Sequence, residues 1–166
     1  MKQCILSLLI CVTYFTGIAQ EETKVAPYLK YPGFPPIQLV QLDNKPLTKK
    51  DIHANQPSLL FYFSPECEHC QHQVTDMLKK MDALKKVQIV MVTHQPAEML
   101  QRFYTDYGLN KYKNIRVARD TKFLLPPFYN IKSLPYQALY NKKGNLITTY
   151  EGNVKIETLA KAYGTK

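Results

Sequence analysis

Three short segments constrain this chain more than anything else in it. "PSLLFYF" (Pro57 to Phe63), "VQIVMV" (Val87 to Val92) and "NIRVAR" (Asn114 to Arg119) read as buried strands. The first is a nearly unbroken apolar run, which suits a strand covered on both faces. Between the first two, Val74, Met77, Leu78, Met81 and Leu84 fall at helical spacing. They predict a helix from near Cys67–Glu68 to the Lys85-Lys86 pair, where basic residues suit a helix C-terminus. Between the second and third, "PAEMLQRFYTDYG" has Pro96 at a helix start and Gly108 at its stop, with Leu100, Phe103, Tyr104 and Tyr107 on one face.

Strands alternating with helices demand crossovers, and therefore an α/β sheet. Further elements complete it. "IQLVQL" (Ile37 to Leu42) reads as a strand ended by "DNKP", and "DTKFLLPPFYNI" as a short, proline-broken helix. Tyr136–Tyr140 and Leu146–Glu151 are two strands joined by the turn "NKKG", and residues 154–163 are a helix stopped by Gly164. The hairpin makes the central sheet mixed, with helices flanking it. Methionines and aromatics on these helices are core by default.

The first twenty residues are a different material. "MKQCILSLLICVTYFTGIAQ" carries one lysine, then an apolar run from Cys4 to Ala19, with Gly17 and Ala19 as small residues before a cut. That is the pattern of a secretory signal peptide over residues 1–19, and the run is short for a membrane span. Residues 20–36, rich in Pro and Tyr and without periodicity, read as an extension or linker, leaving 37–166 as one domain. Its composition, 45% hydrophobic and 21% charged, is ordinary for a globular domain. The net charge of +9 comes from scattered pairs such as Lys49-Lys50 and Lys142-Lys143. A nucleic-acid surface needs a clustered basic stripe with aromatics, so no nucleic-acid partner is expected. A membrane enters only if the leader stays as an anchor.

Loss of the leader removes Cys4 and Cys11 and leaves Cys67 and Cys70 as one isolated pair in an oxidising compartment. The stretch "FYFSPECEHCQHQ" places them after a buried strand and the short loop "SPE", with Cys67 opening a helix. There the free backbone N–H groups and the helix dipole favour a thiolate. Cys70, one turn in, is expected to be less exposed and within reach of Cys67. A dithiol that cycles has this layout. Of the residues between them, His69 when cationic favours the thiolate and Glu68 opposes it, so both act on redox poise. Haem attachment needs His directly after the second cysteine, and Gln71 stands there. A zinc site recruiting His69, His72 or His94 lacks a second CxxC, and His69 points away from the side the cysteines share. A permanent structural disulfide closes so small a loop that it constrains the unfolded chain little.

With these residues in place, the sequence resembles the thioredoxin-like superfamily in its exported TlpA-like branch. "FYFSPECEHC" after a buried strand, then "SLPYQALYNKKGNL" and a terminal helix, carry the resemblance over residues 37–166. It implies a thioredoxin-like fold in which Pro135 is cis and packs against the dithiol, while Leu134 offers its backbone to an extended substrate segment. Three features depart from the pattern. The strand "SLLFYF" has no acidic residue, the chain has no Trp, and Gln73 stands where relatives often have Glu. A carboxylate there can carry the resolving thiol's proton and an amide cannot. The peroxidase relatives' proline-threonine-cysteine pattern is missing at both Cys67 and Cys70.

The expected function is an exported thiol–disulfide oxidoreductase of a bacterial periplasm or cell envelope. Cys67 is the nucleophile and Cys70 the resolving thiol, with no cofactor beyond the redox disulfide and no metal. Partners are protein disulfides or dithiols and an upstream thiol donor. Reduction is the expected direction by analogy with the branch. Oxidation or isomerisation, or a non-catalytic binding module with a structural disulfide, are the alternatives.

Overall fold

The computed structural model describes residues 25–35, 38–52 and 55–164; the expected leader over residues 1–19 lies outside these. The strands are β1 (Gln38–Gln41), β2 (Pro46–Thr48), β3 (Ser58–Tyr62), β4 (Gln88–Thr93), β5 (Ile115–Arg119), β6 (Tyr136–Tyr140) and β7 (Leu146–Glu151). They form one seven-stranded sheet in the order β2-β1-β5-β4-β3-β6-β7. β3, β4 and β5 run parallel, and β1, β2, β6 and β7 pair antiparallel. The helices are α1 (Pro27–Lys30), α2 (Glu68–Lys79), α3 (Ala97–Asp106), α4 (Leu125–Tyr129) and α5 (Ile156–Ala162). This is the expected α/β architecture with a central mixed sheet.

Every residue of β3, β4 and β6 is buried, because helices or the N-terminal lead-in cover both faces. Alternation along the strands then divides the core in two. On one face Phe61, Phe63, Ile89, Met91 and Leu139 meet Cys70, Val74 and Met77 of α2, Leu100 and Phe103 of α3, and Ile156 and Leu159 of α5. On the other, Leu60, Tyr62, Val90, Val92, Tyr136 and Tyr140 meet Leu125 and Tyr129 of α4 and Phe34 of the lead-in. Met77 and Phe103 are core residues, as expected.

Three elements differ from the sequence reading. α2 stops at Lys79, not at Lys85-Lys86. After Lys80 (φ −118°, ψ 30°) the chain tightens into a 3-10 turn over Met81–Leu84, which keeps Leu84 buried while steering into β4. The Asn114 side-chain amide donates to the carbonyls of Leu84 and Val87. The "DNKP" segment is the turn of a β1–β2 hairpin, with Asn44 in the left-handed region (φ 62°). The lead-in carries the single turn α1, and Gly33 pairs with Asn145 beyond the β7 edge.

Candidate functional site

The parallel strands end at one rim, and the cysteine motif begins there. β3 leads through Ser64, Pro65 and Glu66 to Cys67, which is the N-cap of α2. Cys67 has extended backbone angles (φ −79°, ψ 113°), and its Sγ accepts the Cys70 backbone N–H at 3.4 Å. One of the donors that every helix start leaves free is thereby aimed at sulfur. The loop is fixed on both sides: the Cys67 N–H donates to the Ser64 carbonyl, and the Gln71 side-chain amide donates to the Pro65 carbonyl at 2.8 Å.

The two thiols, both reduced, have different surroundings. Cys67 is half-buried, whereas Cys70 is inaccessible among Phe63, Val74 and the core beneath α2. Burial pushes the Cys70 thiol well above the ordinary range; the hydrogen bond with Cys67 adds to this and the Ser64 backbone opposes it. One sulfur is therefore accessible with a donor aimed at it, and the other is held protonated behind it. Chemically, such a pair can form a mixed disulfide at the first sulfur and close a disulfide with the second.

Glu68 and His69 lie in the first turn of α2, both exposed. On the other side of the motif, the Leu134–Pro135 peptide bond is cis. Tyr62 pairs with Tyr136, so the antiparallel register carries Pro135 to the level of Phe63, directly below the motif loop. Pro135 is buried and its carbonyl accepts the Gly152 N–H at 2.8 Å. Leu134, half-buried, packs against both halves of the core. The structure thus brings Cys67, Cys70, Leu134 and Pro135 to one rim. His94 is on the same rim but hydrogen-bonds Tyr62 through Nδ1 at 3.2 Å, away from the cysteines' helix. Among the described residues no three His, Cys, Asp or Glu side chains group in a way that could hold a metal ion.

Gln73, the amide at the expected carboxylate position, is buried and fully engaged. Its Nε2 donates to the Val154 carbonyl at 3.0 Å, and its Oε1 accepts the Val154 N–H at 2.6 Å. Gln137 of β6, also buried, donates to the neighbouring Gly152 carbonyl at 3.2 Å, and its own Oε1 has no partner among the described residues. Residues 152–154 are thus held by two glutamines under the dithiol helix. Sequence reasoning singled out Gln73 but not this role. Its partner lies 81 residues away in an irregular segment that carries no local pattern.

Comparisons with known proteins agree with this fold. The model of the AhpC/TSA family matches residues 32–163. No curated protein sequence matches significantly. Among solved structures, a secreted Mycobacterium tuberculosis disulfide oxidoreductase homologous to Escherichia coli DsbE superposes with a TM-score of 0.64 at 18% identity, over 76% of this chain and 93% of that one. StoA from Bacillus subtilis gives 0.58 at 20% identity over 77% and 98%. The exposed lipoprotein thioredoxin of Streptococcus pneumoniae gives 0.60 at 23% identity over 75% and 95%. At these identities the likeness is one of fold, and that fold is thioredoxin-like.

Proposed function

The chain belongs to the AhpC/TSA family, within the thioredoxin-like superfamily, and on that premise we propose that it is an exported thiol–disulfide oxidoreductase working through Cys67 and Cys70. One observation carries the reading: Cys67 is an accessible sulfur with an N–H aimed at it, and Cys70 is a buried, protonated thiol directly behind. The Cys67 thiolate attacks one sulfur of a partner's disulfide, and that bond breaks as the Cys67–partner bond forms. The released partner thiolate takes up a proton. Cys70 then gives up its proton and attacks the Cys67 sulfur, expelling the partner's second thiolate. The partner gains two electrons and two protons, and the Cys67–Cys70 disulfide remains for an upstream thiol donor to reduce.

Leu134 and Pro135 form the opposite lip, where an extended partner segment lies against the backbone. Glu68 and His69, exposed over the first turn, tune the poise of the pair. Neither Gln73 nor the uncharged β3 supplies a carrier for the Cys70 proton, so solvent at the rim, or Glu66 or Glu68 beside it, takes that proton. Residues 1–19 act as the leader, 20–36 as an extension and 37–166 as the catalytic domain, in a bacterial periplasm or envelope. That compartment is supported by the leader pattern and by the secreted and surface-exposed proteins that share the fold. Among the described residues no helix is long and apolar enough to cross a membrane.

The direct test is insulin reduction with a dithiol donor. The wild type should turn over and Cys67→Ser should not; equal rates would overturn the reading. A second reading, a binding module with a locked disulfide, is favoured by the commitment of Gln73 to Val154. A reduction potential far below that of the envelope would support it instead.

A further inference from the structure

The rim carries a feature that the thiol chemistry does not use. Among the described residues, every residue with positive φ is Asn or Gly except one, Phe123 at φ 52°. A bulky side chain avoids this conformation unless its surroundings impose it. Here the imposing group is Asp120, itself buried at the end of β5. Its two carboxylate oxygens accept the Leu124 and Leu125 N–H groups at 3.0 and 2.8 Å, and its backbone carbonyl accepts the Phe123 N–H at 3.1 Å. The clamp drives Leu125 into the core and turns two large apolar side chains out, Phe123 at 51% exposure and Leu124 at 44%. The Phe123 ring stands edge-on to His94, their centroids 5.2 Å apart, and His94 is braced by the Tyr62 hydroxyl.

This outward pair lies on the rim of the dithiol. β3, β4 and β5 are parallel neighbours, so the chain positions that follow them, Ser64, His94 and Asp120, sit side by side. Two strand spacings amount to about 10 Å, which an extended segment of three or four residues spans. Exposed Lys122 adjoins the patch in the chain, and the neighbouring acid, Asp120, is turned inward onto backbone N–H groups.

We propose that Phe123 and Leu124 form a docking surface for the apolar, acidic stretch of a partner polypeptide that flanks the disulfide presented to Cys67. A second copy of this chain is the poorer occupant, because two strongly basic molecules repel. The proposal deepens the oxidoreductase reading and rests on it.

The test uses two synthetic cyclic disulfide peptides with the same ring, one tailed Leu-Leu-Glu-Glu and the other Ser-Ser-Lys-Lys, with glutathione disulfide as a substrate too small to reach the patch. At low salt the wild type should reduce the first peptide with a kcat/KM about tenfold above the second. The double variant Phe123→Asn, Leu124→Ser should bring the two within about twofold while leaving glutathione disulfide reduction unchanged. Asn suits the left-handed backbone, so the variant keeps its melting temperature or raises it. A preference absent from the wild type, or retained in the variant, overturns the docking surface and leaves the redox reading intact. So does self-association of the wild type that the variant abolishes. Failure of the wild type to reduce any of the three disulfides overturns both.

Discussion

Gln73 and Val154 are joined through both ends of one side-chain amide: the NH2 donates to the Val154 carbonyl and the oxygen accepts the Val154 N–H. Only an amide offers a donor and an acceptor in this arrangement without a proton to gain or lose. The position where relatives often keep a carboxylate therefore serves here to tie the dithiol helix to the start of α5.

Replacing Gln73 with Glu reverses one of the two bonds. An ionised carboxylate still accepts the Val154 N–H but faces the Val154 carbonyl with a second oxygen, in a site closed to water. We expect Gln73→Glu to cost about 1–3 kcal/mol at neutral pH, as for a buried polar group that loses its partner. The carboxyl is easier to protonate in the folded state than in the unfolded one. The loss should therefore shrink as pH falls through the folded-state value, where the protonated acid can donate to Val154. Urea unfolding at pH 7 and pH 4.5, each referenced to the wild type, measures this. A loss equal at both pH values would show that the donor is not what matters.

Cys70 predicts a second pH effect of the same sense, in a more alkaline window. Burial raises its folded-state value above the ordinary 9.0, so the reduced fold resists ionisation that the unfolded chain accepts. The corresponding stability is fully present below pH 9 and is lost as pH rises from there toward the folded-state value. Reduced protein should lose stability as pH rises above 9, whereas the oxidised protein and Cys70→Ser should not. The buried tyrosines Tyr62, Tyr129, Tyr136 and Tyr140, and the half-buried Tyr163, raised by the same cause, add their own loss only above pH 10. Parallel denaturation series of the two redox forms separate the contributions.

How much of this was legible in the sequence depends on the reach of each interaction. The strands and helices around the dithiol follow from apolar periodicity, which is local, and they fall where the residues predict. β2 and α1 are invisible because three or four residues, one of them proline, have no period to read. The apolar positions of α2 run on past its end because a 3-10 turn buries Leu84 as well as another helical turn would. At the site, the cysteine spacing and the strand before it told which sulfur would be exposed. The Val154 clasp and the Asp120 clamp were out of reach. One joins positions far apart in the chain, and the other depends on an aspartate no different in sequence from any loop acid.

That aspartate gives a prediction of its own. Asp120→Ala strips two acceptors from the Leu124 and Leu125 N–H groups at the start of α4, at a cost of about 2 kcal/mol. Asp120→Asn keeps one oxygen and should lose about half as much. Amide hydrogen exchange at Leu125 should accelerate in both, and more in the alanine variant. Unchanged exchange would mean that core packing of Leu125, not the carboxylate, holds the turn.

The sharpest consequence of the asymmetric pair concerns trapping. In Cys70→Ser, Cys67 can still open a partner's disulfide, but no thiol remains to release the adduct, so a mixed disulfide should accumulate. In Cys67→Ser, the surviving thiol is buried and held protonated. It should form no adduct and react with iodoacetamide at least about tenfold more slowly than Cys67 does in Cys70→Ser. Mass spectrometry after incubation with an oxidised partner peptide reads the first outcome, and timed alkylation at pH 7.5 reads the second. Adducts in both variants at similar rates would mean that the core beneath α2 opens readily enough to expose Cys70. The order of attack and resolution would then follow from motion in the helix start, not from the burial seen in the fold.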